Sequence, residues 1–175
     1  MSHLVMRRPD LENLPALPAL PEGYTLRLYR EADLTSLAAL LRDAFEDPQW
    51  TPERVRETLA ESPEVKAVYV IEYAGETVAT ASARLLPDVF PGSGYLHWVA
   101  VAPAHRHKNL GHAVSIAVLH QFERLGCKDA VLETQDVRLD AIRLYGSLDF
   151  KPEHTHETHP DRWSKIAEML TAIGL

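Results

Sequence analysis

The run Tyr95-Leu96-His97-Trp98-Val99-Ala100-Val101 is rich in aromatic and β-branched residues and stands between Pro91-Gly92-Ser93-Gly94 and Pro103. Those breakers and that composition predict a strand, and the lack of clean alternation predicts burial on both faces. Downstream, Leu110, Val114, Ala117, Val118, Phe122 and Leu125 recur at gaps of three and four, which draws one apolar stripe along a helix. Between the two lies His105-Arg106-His107-Lys108-Asn109-Leu110-Gly111. A turn that opens a helix directly after a buried strand aims free backbone N–H groups and the positive end of the helix dipole at one place. It suits an anion.

Charge sharpens that reading. The chain carries 25 Asp and Glu against 18 Lys and Arg, a formal net charge of -7, so a run of basic residues and histidines departs from the background. A solvated loop is the competing reading. Asn109 and Gly111 favour the binding turn, because converging N–H groups need positive φ, which Gly accepts freely and Asn more readily than other residues. No basic stripe extends beyond the turn, so a nucleic-acid partner is not expected.

Val99-Ala100-Val101-Ala102-Pro103-Ala104-His105-Arg106-His107-Lys108-Asn109-Leu110-Gly111 resembles the acetyl-CoA motif of the GCN5-related N-acetyltransferase (GNAT) superfamily, an apolar strand followed by Arg-x-x-Gly-x-Gly/Ala opening a helix. Arg106 and Gly111 match the ends of that pattern, and Asn109 stands at its first Gly. A second segment, Asp140 to Phe150, is similar to the family's Ala-x-x-Leu-Tyr-x-x-x-Gly-Phe, with Asp149 in place of Gly and Arg138 where many members have Asn. With its flanking strands the likeness covers roughly residues 24 to 155.

The resemblance implies a mixed α/β (α+β) fold: a central, mostly antiparallel mixed sheet whose middle strands splay apart, with helices on both faces. It implies an acetyl-CoA-dependent N-acetyltransferase acting on a primary amine of a small molecule or peptide. A bulkier acyl-CoA, or a non-catalytic module that only binds CoA, are the alternatives. Backbone N–H groups from Arg106 through His107, Lys108, Asn109, Leu110 and Gly111 to His112 would cradle the pyrophosphate, with Arg106 and Lys108 adding charge. Val99 and Val101 would pair with the pantetheine arm, and the N–H near Val99 or Ala100 would polarise the thioester carbonyl. Arg138 is placed beside the cofactor. Tyr145 matches the tyrosine that serves as general acid, a phenol near pKa ~10 giving its proton to a thiolate whose acid lies near ~8.5. For the base, His97, on the strand parity of Val99, competes with Glu133, Glu46 and ordered water.

Elsewhere the chain supplies the remaining elements. Residues 1–23 hold four prolines and predict an extended lead-in to a single domain over 24–175, with Leu11, Leu14, Leu17 and Leu20 tacking it down. Strands are predicted at Tyr24–Tyr29, Lys66–Tyr73, Thr77–Leu86, Ala130–Thr134 and from Phe150 to about His156. Helices are predicted from an Asp33 cap to Phe45, from Thr51-Pro52-Glu53 to about Leu59, over Arg138–Leu148, and over Arg162–Ile173. Ala79, Ala81 and Ala83 share one strand face and require close packing there. A length of 175 residues suits a domain that buries roughly two-thirds of its unfolded surface. Cys127 is the single cysteine, read as a packed residue, so a reducing cytoplasm is the default compartment. No apolar run reaches membrane-spanning length. His154, His156 and His159 lack the further ligand spacing of a zinc site, and the family resemblance implies a lip on the substrate side there. The acceptor and the oligomeric state stay open, a homodimer among the possibilities.

Overall fold

A computed structural model describes residues 2–173; Gly174 and Leu175, the end of the expected domain, lie outside the described residues. Seven strands form one sheet in the order β2-β3-β4-β5-β6-β1-β7. They are β1 Leu4–Arg8, β2 Tyr24–Leu28, β3 Val65–Tyr73, β4 Glu76–Arg84, β5 Ser93–Val101, β6 Asp129–Thr134 and β7 Lys151–Glu153. Every neighbouring pair is antiparallel except β5 and β6. Helices are α1 Leu34–Phe45, α2 Pro52–Val55 continued by a π-type turn over Arg56–Ala60, α3 Leu110–Arg124, α4 Leu139–Ser147 and α5 His159–Ala172. This is the mixed sheet that the family resemblance implies.

The predicted lead-in needs correcting. Leu4–Arg8 is a sheet strand, running antiparallel between β6 and β7 with Leu4 opposite Thr134 and Met6 opposite Pro152. Five residues carry little periodic signal, and the burial of Leu4, Val5 and Met6 depends on partners remote in the sequence, among them Val131 and Tyr95 against Val5. Beyond β1 the segment is irregular, and Leu11, Leu14 and Leu20 pack on the core while Leu17 is exposed. The last strand is shorter than expected, and α5 begins earlier, with Pro160 in its first turn. Asp33 precedes α1 but does not cap it with its side chain. Its carboxylate instead accepts from Arg27, at 2.7 Å on each oxygen, and from the Arg30 N–H. The Arg27 guanidinium holds that carboxyl below the ordinary aspartate range.

Two cores cover the two faces. On one, α3 lies across β3, β4 and β5, its Ala113, Val114, Ala117 and Val118 among the buried residues with Ile71, Ala79, Ala81, Ala83 and Leu96. The alanine face of β4 gives the helix room, as the sequence pattern requires. On the other, Leu37 and Leu41 of α1, Trp50 of the following loop, and Val55 and Leu59 beyond it cover Val68, Val70 and Ala100.

The closest approach is at Gly94. A Cβ there would sit 2.2 Å from Cγ of Phe122 on α3, an overlap that no rotamer relieves because Phe122 is itself fully buried. Gly94→Ala is therefore expected to lower unfolding free energy by about 3 kcal/mol, the upper range of overpacking, as read by urea denaturation. A companion Phe122→Leu should restore part of the loss, giving a non-additive cycle.

Candidate active site

β5 and β6 pair over three rungs only, Ser93 with Asp129, Gly94 with Ala130 and Tyr95 with Val131. Past Tyr95 the strands part. β5 continues to Val101 and β6 to Thr134, so the facing backbone edges from Leu96 and Leu132 onward border a slot. Ala102 N–H donates to Val78 O on β4; by alternation the preceding Val101 N–H points toward the slot.

At the far end of β5 the chain forms a short 3-10 turn over Pro103–His105 and then enters α3. His107 and Asn109 adopt φ of 62° and 58°, which turns successive N–H groups to one side. Among the described residues, none of the N–H groups from His107 to His112 has a protein acceptor, and Ala113 N–H is the first to bond back, to Asn109 O at 3.0 Å. Gly111 is needed here for closeness: an added Cβ would stand 3.1 Å from Leu144 Cδ1 and 3.4 Å from Val101 Cγ2. Arg106, His107, Lys108 and Asn109 are exposed around this cradle. His105 is pinned by the Tyr24 hydroxyl at 2.7 Å, and the Tyr73 ring lies tilted with its centroid 4.5 Å from that of Tyr24. The role of these two tyrosines in fixing the turn has no local sequence signature.

A bulge in β5 redraws the sequence reading. Ser82 is opposite His97 and Thr80 opposite Ala100, so Trp98 and Val99 together face one residue of β4. Trp98 takes φ of 49°. Before the bulge Tyr95 and His97 point to the α1 face; after it Trp98 and Ala100 do, while Val99 and Val101 pack in the α3 core. His97 and Val99 thus lie on opposite faces, contrary to the expectation of shared parity. On the α1 side the rings of Tyr95, His97 and Trp98 follow one another at 5.4 and 5.0 Å, and Trp98 meets Trp50 and Phe45 edge-on at 4.8 and 5.0 Å. This aromatic wall was not foreseen; the spacing of Tyr95 and Trp98 hints at it only once the bulge is known.

Tyr145 comes from α4 and is 8 % exposed. Burial pushes its phenol up to about 12, Arg138 opposing, so it stays protonated across neutral and mildly alkaline pH. Arg138 does not turn to the amide cradle: its guanidinium lies 4.7 Å over the Phe45 ring on the opposite side of the slot. Glu133 accepts from the Tyr95 hydroxyl at 2.8 Å. Glu46 is exposed at the left-handed end of α1, outside the ring cluster. His97 is driven down to about 3 by burial and by Arg84, and its Nδ1 is buried without a partner. It is a neutral wall, and too weak a base to hold the ammonium proton.

The histidine-rich segment is split. His154 and His156 are exposed, while His159 is fully buried and ties Thr155 N–H, at 3.3 Å, to the start of α5. Among the described residues no cluster of three His, Cys, Asp or Glu side chains could hold a metal ion. Cys127 is partly buried, its thiol pushed up by burial and by Asp129, away from the slot. Among the described residues no helix is long and apolar enough to cross a membrane.

The model of the acetyltransferase (GNAT) family matches residues 34–150. The chain belongs to this family. It is 29% identical over 154 residues to a mycothiol acetyltransferase of Nocardia farcinica, covering 80% of this chain and 50% of that protein. A GCN5-related N-acetyltransferase from Sphaerobacter thermophilus superposes with a TM-score of 0.68 at 24% identity, covering 86% of this chain and 48% of the other. The aminoglycoside N-acetyltransferase AAC(6')-Iy in complex with CoA gives a TM-score of 0.67 at 17% identity, over 79% and 96% of the two chains. The chain spans about half the length of the curated relatives it matches. Acetyltransferases of this family use acetyl-CoA, and it is the cofactor of this chain.

The buried neutral His97 carries a signature in stability. Its folded pKa of about 3 lies below the ordinary 6.5, so the unfolded chain binds the extra proton between those values, and stability contributed by the neutral ring is present above pH 6.5 and lost as pH falls toward 3. Within that window the loss approaches about 1.4 kcal/mol per pH unit. Denaturation between pH 7 and pH 4 should show a flatter decline for His97→Gln than for the parent; parallel curves would contradict the buried neutral imidazole.

Proposed function

We propose that this chain transfers the acetyl group of acetyl-CoA to a primary amine carried by a small molecule or a peptide. The observation that carries this reading is the row of unpartnered N–H groups from His107 to His112 set beside an open strand edge. Those amides, with Arg106 and Lys108 exposed next to them, have the donor chemistry of a diphosphate cradle. Gly111, where an added Cβ would press on Leu144 and Val101, keeps the helix start close to Val101. Acetyl-CoA, when bound, supplies an acetyl thioester, whose C–S bond breaks as the N–C bond to the amine forms.

The residues around the slot then have separate tasks. Val101 N–H, facing the slot, binds and orients an extended chain as an added strand would. Tyr145 holds a proton on its phenol oxygen and gives it to the departing sulfur. The attacking nitrogen gives its protons to solvent water beside the Glu133 carboxylate, and the sulfur takes its proton from the phenol, which solvent restores. His97 and Trp98 exclude water without adding charge. The likeness to AAC(6')-Iy, an aminoglycoside N-acetyltransferase, supports an amine as the acceptor class; the mycothiol acetyltransferases support a small molecule.

Calorimetry with acetyl-CoA and release of free thiol on a panel of kanamycin, tyramine and an alanyl peptide test the reading. Binding together with amine-stimulated thiol release is expected; binding without release on any amine would favour a module that only holds CoA. Asn109→Val should weaken acetyl-CoA binding about tenfold, since a β-branched residue at positive φ costs roughly 1–2 kcal/mol, whereas Asn109→Gly should bind as the parent does. Tyr145→Phe should lower kcat about 100-fold and leave acetyl-CoA affinity unchanged; an unaltered rate removes Tyr145 from the chemistry.

A further inference from the structure

The buried hydroxyl of Tyr95 has one partner, Glu133 Oε2, at 2.8 Å. Its position is unusual within the fold. Tyr95 is the last residue of β5 to pair with β6, opposite Val131, and Glu133 is two residues further along β6, where β5 has turned away. The hydrogen bond therefore spans the root of the slot, from the end of the paired region to the first carboxylate of the open region. On its other side Glu133 is held in register with Val5 of β1. Glu133 is exposed while Tyr95 is 7 % exposed, and Oε1 of the carboxylate has no donor among the described residues.

We infer that Tyr95 is a positioning residue that fixes Glu133 as an ammonium holder: the phenol occupies one carboxylate oxygen, and the other receives a primary ammonium whose apolar stem lies along His97 and Trp98. The inference rests on the acetyl-transfer reading and adds to it the chemical class of the acceptor, a cationic amine on a slim apolar stem. The surroundings agree. Tyr95 is kept protonated by burial and by Glu133, so it can only donate to the carboxylate. Arg84, opposite Tyr95 on β4, is ion-paired with Glu64. His97 on β5 is neutral, Tyr145 on α4 is a protonated phenol, and Glu153 on β7, across β1, is bonded to Arg7. Among the described residues Glu133 is thus the one carboxylate at this root whose partner is a neutral group.

The amine that turns over fastest in the panel gives the first measurement. Tyr95→Phe should raise its KM about tenfold, as loss of one hydrogen bond to a charged group does, with kcat within about threefold and the KM for acetyl-CoA unchanged. On a Glu133→Gln background the same change should have no further effect. Additive losses in the two variants, or a fall in kcat alone, would overturn the inference while leaving acetyl transfer standing. A second measurement needs no turnover. Saturation-transfer NMR with n-propylammonium should report binding to the parent chain that Tyr95→Phe and Glu133→Gln each weaken at least about fivefold, the scale of one such contact. Equal signals in all three proteins, or none in the parent, would overturn it. Failure of acetyl-CoA to bind would instead strike the acetyl-transfer reading.

Discussion

The three rungs that join β5 to β6 are the constraint on which the rest depends. A parallel pair needs a long crossover, and here it is α3, which must lie close against both strands. Gly94 sits on the middle rung, directly under Phe122, at a distance that excludes any side chain. Holding the helix there fixes where its N-terminus points, and the open amides of His107 to His112 consequently face the end of β5. If the ladder continued for the full length of both strands, its hydrogen bonds would consume the edge that now borders the slot. Sheet continuity is sacrificed locally, and the remaining pairs of β6 with β1, from Leu4 with Thr134 to Arg8 with Ala130, keep β6 in place.

The bulge at Trp98 and Val99 does the complementary work. One extra residue in β5 reverses which side chains face which layer. Without it Trp98 would point into the α3 core and Val99 toward α1. Trp98 occupies a left-handed conformation that costs a large residue on the order of 1–3 kcal/mol, and its edge-on contacts with Phe45 and Trp50 are what over-determine it. The result is a division of labour between faces: aliphatic side chains on the α3 side, aromatic ones on the α1 side.

Much of this was legible in the amino-acid sequence, and the boundary of legibility is physical. The strand, basic turn and α3 announce themselves because apolar spacing, Pro103 and the Asn109 and Gly111 positions are local signals. The alanine face of β4 foretold the close helix for the same reason. β1 was hidden because five residues acquire their burial only from distant partners. His97 was assigned the wrong face because alternation assumes an unbroken register, and a bulge is a property of two strands together. Arg138 aligned with a cofactor-side position in the family pattern, yet its guanidinium lies over Phe45, an aromatic ring on another helix that no local pattern around Arg138 announces. Tyr95 carried no motif at all; its importance follows from being the last paired residue before the strands separate.

Burial has a further consequence for how the slot handles charge. Desolvation raises Tyr95 and Tyr145 and lowers His97, so all three rings are neutral near pH 7 and the middle of the slot is lined by groups without formal charge. Arg84 is neutralised by Glu64, and Arg138 rests on an aromatic face. What remains is polar at the two ends: amide dipoles with Arg106 and Lys108 at one, and the Glu133 carboxylate at the other. In the acetyl-transfer reading proposed above, an anionic diphosphate and a cationic amine entering from opposite ends would each be drawn to the matching end, which would order the two partners before any reacting atoms meet.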